Sequence, residues 1–323
     1  MPGIRIDPHV HFRGGKHSYK ETIEHGLYVA RQQGVEIVFD MPNKEKPVRR
    51  ISDVDDVLMD VPNGEEDRYF LYIGATDDSG QLEEAVHCYN THPRVIGIKM
   101  FTDSVGDLNL REQGQQKAVF SDLAGLRYRG VLTVHCEETS LLDPGEWDPT
   151  DPITHCYARP EDAEVEAVIN QIAFAREAGF EGHLHIAHAS SPKTVDCVRV
   201  AADEGMRISC EVTPHHVMWD SRMLERPEGI IYKMNPPLRA PDSVAELREL
   251  VKYGIVDCIG TDHAPHALGE KLFPPYLSGY PSLFLYKRFV EDLLPNEIGT
   301  NPDIIDRMTY GNTHRIFGDK LEV

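Results

Sequence analysis

The sequence predicts an α/β fold, a single closed (β/α)8 barrel, and two observations support this. Short runs rich in β-branched residues alternate with helix-like amphipathic segments along the whole chain, which is typical of parallel βαβ units. Reactive residues also follow nearly every predicted strand, and the carboxyl ends of barrel strands meet on one face. Barrels of this type reach 323 residues as one unit, so we expect one domain over residues 1–323.

Eight strands and four clear helices are predicted. The strands cover residues 3–7, 35–40, 69–75, 95–101, 131–135, 182–188, 207–213 and 256–261. Their nearly continuous apolar character is expected of parallel strands that are buried on both faces. The helix-like segments include residues 19–33, 161–178, 192–204 and 243–253. A doubly wound open sheet is the alternative, but no GxGxxG fingerprint follows the first strand.

The composition excludes several classes of partner. A formal net charge of −20 without a basic stripe argues against nucleic acid. The chain contains no apolar run long enough for a membrane span. Its six cysteines form no CxxC pair, which favours free thiols in a reducing cytoplasm. A homo-oligomer is left open, and the small-molecule partner that we expect is indicated by the motifs below.

The segment 7–13, DPHVHFR, combines a metal-ligand pair with a cationic side chain. If the chain stays extended, His9 and His11 point the same way, because strand side chains alternate with period two. Two adjacent imidazoles form half of a divalent-metal site. Arg13 has no metal role, and its guanidinium suits a two-pronged contact with a carboxylate. The segment therefore indicates a metal together with an anionic substrate.

Reactive side chains accompany the other predicted strands as well. They are Asn43 after the second, Lys99 in the fourth, His135 and His188 at the ends of the fifth and sixth, His215 and His216 after the seventh, and Asp262, His263 and His266 after the eighth. One strand-end histidine is more often a core residue than a ligand. Two on neighbouring strands of a barrel that begins with HxH indicate ligands and an active site. His185 is expected to face the side opposite to His188 and to be structural.

Lys99 lies in the apolar run VIGIKMF, where an unpaired ammonium would be costly. It could be a core lysine that reaches the barrel mouth, a Schiff-base amine, or a carbamate that replaces the cation by a bridging carboxylate. The neighbouring histidines favour the carbamate, because a positive lysine beside two metal ions would be repelled.

Asp262 and Asn235 lie in the segments GTDHAPH and KMNPPLR. Asp262 could cap the following turn, or it could bind a metal through one oxygen and accept a proton through the other. We favour the second interpretation, since metal-bound water needs such a base. Asn235 could belong to a turn, but its proline-stiffened segment would present an amide rigidly to a ligand.

Taken together, these motifs resemble the amidohydrolase superfamily of cyclic amidohydrolases and, within it, the dihydroorotases. The resemblance covers nearly the whole chain, from segment 7–13 to segment 260–266. Between them, the segments MPN (41–43), KMF (99–101), VHCE (134–137), TPHH (213–216) and NPPLR (235–239) are similar to family motifs in the same order. Such an ordered set is highly specific for the superfamily and less specific for the substrate.

The resemblance implies two Zn²⁺ ions per chain and a full set of site residues. His9, His11 and Asp262 would hold one ion, His135 and His188 the other, and carboxylated Lys99 would bridge both. Arg13, Asn43, Asn235 and His266 would hold the substrate, and Asp262 would carry the proton. The implied reaction interconverts dihydroorotate and N-carbamoyl-aspartate in the de novo synthesis of pyrimidines.

Two further expectations concern the surroundings of the site. The metal motif begins at residue 7 and the chain ends shortly after segment 311–317, so we expect the barrel of a metal-dependent hydrolase without an accessory β-sandwich. The polar segment 102–107 is expected to fold over the substrate as a lid.

Two other functions are compatible with the motifs. Another cyclic amidohydrolase, of the allantoinase, hydantoinase or dihydropyrimidinase type, would act on an uncharged ring, whereas Arg13 with Asn43 favours a carboxylate. A non-catalytic amidohydrolase-like subunit would be expected to have lost metal ligands, and every candidate position is filled here.

Overall fold

Eight parallel strands form a barrel that is surrounded by helices. The structure is a computed structural model that describes residues 3–103 and 108–321. Its strands are β1 (Ile6–Val10), β2 (Ile37–Asp40), β3 (Tyr69–Gly74), β4 (Val95–Phe101), β5 (Val131–His135), β6 (His183–Ile186), β7 (Ile208–Val212) and β8 (Cys258–Ile259). They follow one another in chain order, each parallel to the next. The predicted (β/α)8 barrel is confirmed.

Helices connect the strands and cover the barrel. They are α1 (Ile23–Gln32), α2 (Ile51–Leu58), α3 (Ser79–Thr91), α4 (Gln113–Gly125), α5 (Thr154–Ala158), α6 (Glu161–Ala178), α7 (Pro192–Asp203), α8 (Pro214–Met218), α9 (Pro241–Lys252), α10 (Leu268–Leu272), α11 (Tyr286–Arg288), α12 (Pro302–Asp306) and α13 (Asn312–Phe317). The segments Phe289–Ile298 and Arg307–Gly311 are wound as π-helix. Within the described ranges, none of the helices has the length and apolar character that crossing a membrane requires.

Local sequence sets the bounds of α6, which agree with the prediction. Pro160 precedes the helix, and three acidic residues lie in its first turn. Their negative charges stabilise the helix because they lie beside the positive end of its dipole. Gly179 ends the helix in the left-handed conformation, at a φ of 64°, which costs glycine little. The predicted bounds of β4 and β5 are also confirmed.

The predicted bounds of the first and last strands are wrong. β1 runs to Val10 instead of ending at Asp7, so His9 lies inside the strand. Its polar residues look like a loop in the sequence, but they point into a barrel interior that supplies hydrogen-bond partners. β8 covers only Cys258–Ile259. The next residue, Gly260, has no room for a side chain, because a Cβ there would lie 2.7 Å from a carboxylate oxygen of Glu211.

Asp7 joins the first strand to the segment that follows the last strand. Its Oδ1 accepts hydrogen bonds from Thr261 N at 2.9 Å and His9 N at 3.1 Å, and its Oδ2 accepts one from Thr261 Oγ1 at 2.6 Å. Beside it, His11 N donates to His263 O at 2.8 Å. The barrel therefore closes between β1 and the segment after β8, and we call this contact the seam.

A C-terminal helix closes the amino end of the barrel. Phe317 of α13 lies 5.1 Å from Phe39 and 6.3 Å from Tyr72 between ring centroids. It shares a core cluster with side chains of β1, β2, β3, β4, β5 and β8. Asn312 Nδ2 holds the start of α13 by donating to Asp257 O, just before β8, at 2.8 Å. The barrel interior is therefore filled at its amino end, and the carboxyl ends of the strands leave space for a ligand.

Candidate active site

A single cavity of about 420 Å³ lies at the carboxyl ends of the strands and collects the predicted site residues. Those that line it are His9, His11, Arg13, Asn43, His135, His188, Asn235, Asp262 and His266. Side chains from β1 and β5 and from the segments after β1, β2, β6, β7 and β8 thus meet at the barrel mouth. The cavity walls also include Phe101, Asp103, Lys233 and the segment 275–279.

The first group of candidate ligands contains His9, His11 and Asp262. The Nε2 atoms of the two histidines lie 3.2 Å apart. Asp262 Oδ1 lies 3.3 Å from His9 Nε2 and 2.9 Å from His11 Nε2. Burial lowers the pKa of His11 to about 4, so its neutral imidazole has a lone pair to offer. Two imidazole nitrogens and one carboxylate oxygen that converge in this way fit a divalent cation such as zinc.

The second predicted group contains His135 and His188. His135 Nδ1 and His188 Nε2 lie 2.9 Å apart, and burial and then His135 hold the pKa of His188 well below its usual value. The ring centroids of His188 and His9 are 5.3 Å apart. The two groups are therefore neighbours, as the sequence predicts.

His188 and Asp262 have left-handed backbone conformations, with φ values of 36° and 48°. This conformation is energetically unfavourable for residues other than glycine, and such strain is concentrated at functional sites. The turn at His188 also interrupts the strand alternation, so the predicted orientation of His185 is wrong. Instead of facing away, His185 Nε2 lies inside the barrel, 3.2 Å from Glu211 Oε2.

Glu211 of β7 ties the two groups together from below. His9 Nδ1 donates to its Oε1, and His188 N donates to the same oxygen at 3.2 Å. Although burial raises the pKa of Glu211, His9 and His185 hold it well below its usual range. The carboxylate therefore fixes His9 with its Nε2 towards the cavity, as partners of metal-bound histidines commonly do.

Two further oxygens aim ligand histidines in the same way. Asn43 Oδ1 accepts a hydrogen bond from His11 Nδ1 at 2.7 Å. Glu137 Oε2 accepts one from His135 Nε2 at 2.9 Å, and Arg159 pairs with Glu137 in turn. Asn43 thus has a contact with a ligand that its predicted substrate-binding role did not include.

Lys99 lies beneath the ligands without a hydrogen-bond partner. Its side chain is fully buried, and its Nζ contacts no hydrogen-bonding atom among the described residues. Burial lowers the pKa of Lys99 to about 8, although Glu211 and Asp262 raise it. A buried amine without a partner is unfavourable, and conversion to a carbamate would replace it with metal-ligating oxygens. This orphaned atom therefore fits the predicted bridging role.

The remaining predicted residues form the wall beside the ligands. Arg13 is buried, and its Nε donates to Pro265 O at 3.3 Å. His266 Nε2 donates to Ser278 O at 3.0 Å, so it ties down the segment 275–279 as well as lining the cavity. Lys233, which the prediction omitted, adds a second cation to this wall.

Asp103 offers a different set of ligand atoms around His135. The carboxylates of Asp103 and Glu137 come close enough to His135 to form a second candidate metal group. Arg159 pairs with both carboxylates, and this neutralising contact makes His188 the better partner of His135. Of the predicted lid, residues 104–107 lie outside the described residues.

Sequence reasoning missed the residues that orient the ligands. Glu137 and Glu211 are carboxylates within apolar segments, VHCE and SCEV. A buried acid in such a context needs a partner, and this signal could have identified both. Lys233 carries no comparable signal.

Comparisons with known proteins place these features in context. No protein-family model matches the chain. A dihydroorotase of Aeropyrum pernix is 30% identical over 301 residues, which cover 93% of this chain but 66% of the relative, slightly less than two thirds of its length. A dihydroorotase of Enterococcus faecalis is 31% identical over 332 residues, covering 98% of this chain and 73% of the relative.

The fold is also similar to that of a solved structure. The L-hydantoinase (dihydropyrimidinase) from Arthrobacter aurescens superposes with a TM-score of 0.83 at 20% sequence identity, covering 97% of this chain and 70% of that chain. At this identity, the similarity concerns the barrel and carries no information about the substrate.

Proposed function

This chain belongs to the dihydroorotase family, and we propose that it catalyses the reversible hydrolysis of dihydroorotate to N-carbamoyl-aspartate in de novo pyrimidine synthesis. One observation carries the proposal. A single small cavity combines converging imidazole and carboxylate groups with the buried guanidinium of Arg13. The imidazole and carboxylate groups suit amide hydrolysis with a metal. The guanidinium suits the carboxylate of the substrate.

The proposed cofactor is a pair of Zn²⁺ ions. His9, His11 and Asp262 would hold one ion, His135 and His188 would hold the other, and carboxylated Lys99 would bridge them. When bound, zinc would supply Lewis acidity towards the amide carbonyl and make water a stronger nucleophile at neutral pH. The lowered pKa values of His11 and His188 and the unpartnered Lys99 Nζ support this assignment.

Asp262 is the proposed proton carrier. Oδ1 faces the two histidines, which leaves Oδ2 to accept the proton of the attacking water. As the bond from water oxygen to carbonyl carbon forms and the ring C–N bond breaks, Oδ2 would pass this proton to the leaving nitrogen.

The substrate would be held by side chains on the wall beside the ligands. Arg13 would bind the carboxylate, and Asn43, Asn235 and His266 would contact the rest of the ring. Dihydroorotate carries a carboxylate that hydantoin, dihydrouracil and allantoin lack, so this wall favours it among cyclic amides.

The proposed setting of the enzyme is the cytoplasm, and the proposed functional unit is one domain over residues 1–323. All six cysteines are free thiols, which fits a reducing compartment.

Turnover of the purified, zinc-loaded protein tests the function. We expect ring closure of N-carbamoyl-aspartate and ring opening of dihydroorotate, with hydantoin, dihydrouracil and allantoin hydrolysed much more slowly. If a protein with two bound zinc ions prefers an uncharged ring or turns over none of these compounds, the proposal is wrong.

Arg13→Lys tests the substrate assignment. The variant keeps the charge but loses the two-pronged contact, so transition-state stabilisation for dihydroorotate should fall by about 1.5–3 kcal/mol, seen mainly in KM. An unchanged KM would place the substrate carboxylate elsewhere.

A further inference from the structure

His155, on the short helix α5, reaches the cavity wall from a segment with no role in the proposed chemistry. Its side chain is buried, and its ring lies 5.4 Å from that of Trp147 in an edge-to-face arrangement. His155 Nε2 lies 2.9 Å from Met234 O and 3.0 Å from Asn235 Oδ1. Both neighbours are acceptors, so Nε2 must carry the ring proton and donate it.

This hydrogen bond determines which end of the Asn235 amide the cavity meets. With Oδ1 engaged by His155, the NH₂ group of Asn235 is left for the cavity that the residue lines. Asn43 has the same arrangement, because its Oδ1 accepts from His11 Nδ1. Two amides on the wall therefore contribute donors, in line with the cations Arg13 and Lys233.

The protonation state of His155 supports this geometry. Burial lowers its pKa to about 3, and Lys233 and Arg159 add to the effect. At neutral pH the ring carries a single proton, and the two acceptors at Nε2 hold it there. His155 therefore cannot change from donor to acceptor without breaking two contacts.

We propose that His155 is a positioning residue that turns the NH₂ group of Asn235 into the cavity and so selects substrates that present an acceptor oxygen at this point. This inference rests on the proposed function, because dihydroorotate has carbonyl and carboxylate oxygens around its ring. Without the imidazole donor, the amide would rotate freely and expose its own oxygen for part of the time, which would repel an oxygen of the substrate.

Two substitutions separate this role from simple packing. His155→Phe keeps a ring against Trp147 but removes the donor, whereas His155→Gln restores an N–H near the position of Nε2. For His155→Phe we expect KM for dihydroorotate to rise roughly tenfold, the equivalent of one neutral hydrogen bond, with kcat within about twofold of the wild type. His155→Gln should recover most of this loss.

A double-mutant cycle with Asn235→Ala tests whether His155 acts through Asn235. If it does, His155→Phe should change KM little once the asparagine amide is absent. An equal KM increase in both backgrounds, an unchanged KM in His155→Phe, or no recovery in His155→Gln would overturn the inference. If His155→Phe fails to fold, the Gln variant and Asn235→Asp, which offers only oxygens, replace it, and Asn235→Asp should raise KM at least as strongly.

The ring tautomer gives a readout that does not depend on turnover. ¹⁵N NMR of the histidine-labelled wild-type protein should show His155 protonated at Nε2 and neutral down to about pH 4, consistent with a pKa of about 3. A proton at Nδ1 would overturn the inference even in an active enzyme. Absence of dihydroorotase turnover with an Nε2 tautomer would instead contradict the proposed function alone.

Discussion

At the scale of single residues, the candidate ligands are aimed by hydrogen bonds on the far sides of their rings. Glu211, Asn43 and Glu137 each occupy one ring nitrogen and leave the other for the cavity. Because an imidazole has two different nitrogens, the partner of one nitrogen decides which of them can bind a metal. These contacts hold the candidate ligand atoms close together before a metal binds, so that binding would cost little additional side-chain entropy.

The Asp262→Asn variant tests the proton carrier. The amide is nearly isosteric and still offers one oxygen to a metal, so the fold and most of the metal should be retained. It cannot accept a proton at neutral pH, and kcat should fall by ~10²-fold or more. Turnover of the metal-replete variant is to be compared with that of the wild type. A near-normal rate would show that the proton takes another route.

Glu211→Gln tests the carboxylate that ties the two ligand groups together. The substitution preserves the shape but removes the charge that holds His9 and the His188 backbone. We expect zinc affinity to fall by ~10–100-fold, the usual effect of such partners, measured by competition with a chelator. A matched control is Glu204→Gln on the exposed surface, which should leave affinity unchanged. Wild-type affinity in Glu211→Gln would contradict the assigned role.

The candidate ligands could be recognised in the sequence because their types and order are local features. Their partners could not, because the contacts join distant parts of the chain: 202 positions separate His9 from Glu211, and 80 separate His155 from Asn235. No periodicity or spacing encodes such a pair. Only the presence of an acid inside an apolar strand indicates that a partner must exist.

At the scale of elements, the strand ends place the site and α13 supports it from below. Strands β4 and β5 were predicted with correct bounds because each is a continuous apolar run between polar neighbours. β1 was not, because Asp7 and His9 point into the barrel, where interior partners rather than water satisfy them. No local feature of the sequence predicts that Phe317 packs into the barrel.

Phe317→Ala tests the contribution of α13. The side chain is buried against Phe39 and Tyr72, so its removal should cost about 3–5 kcal/mol of unfolding free energy, measured by urea denaturation. Phe273→Ala serves as the control, since this phenylalanine is 65% exposed and should change stability little. Equal losses in the two variants would show that Phe317 adds no specific packing.

At the scale of the whole molecule, the first ligand group bridges the seam. His9 and His11 belong to the start of the barrel, and Asp262 follows its last strand. A cation held by all three would therefore connect the two ends of the sheet beside the Asp7 contacts. Binding energy gained only in the closed barrel adds directly to its stability.

Removal of metal should accordingly destabilise the protein. At free zinc about 100-fold above Kd, each site contributes roughly 2.7 kcal/mol, so the chelator-treated protein should have a clearly lower Tm. Re-addition of zinc should restore it, and the Asp262→Ala variant should show a smaller shift. An identical Tm with and without chelator would mean that the seam closes without help from a metal.

The seam also has a consequence for synthesis on the ribosome. Thr261, which binds Asp7, is synthesised 254 positions after it, and Phe317, which closes the amino end of the barrel, follows later still. Until Asp262 has been made, the first ligand group consists of His9 and His11 alone, which are too few donors to retain zinc firmly. Capture of a metal by this group would therefore wait until both sides of the seam have been made, and a product terminated before Thr261 would lack the closure that hides its apolar strands from proteases.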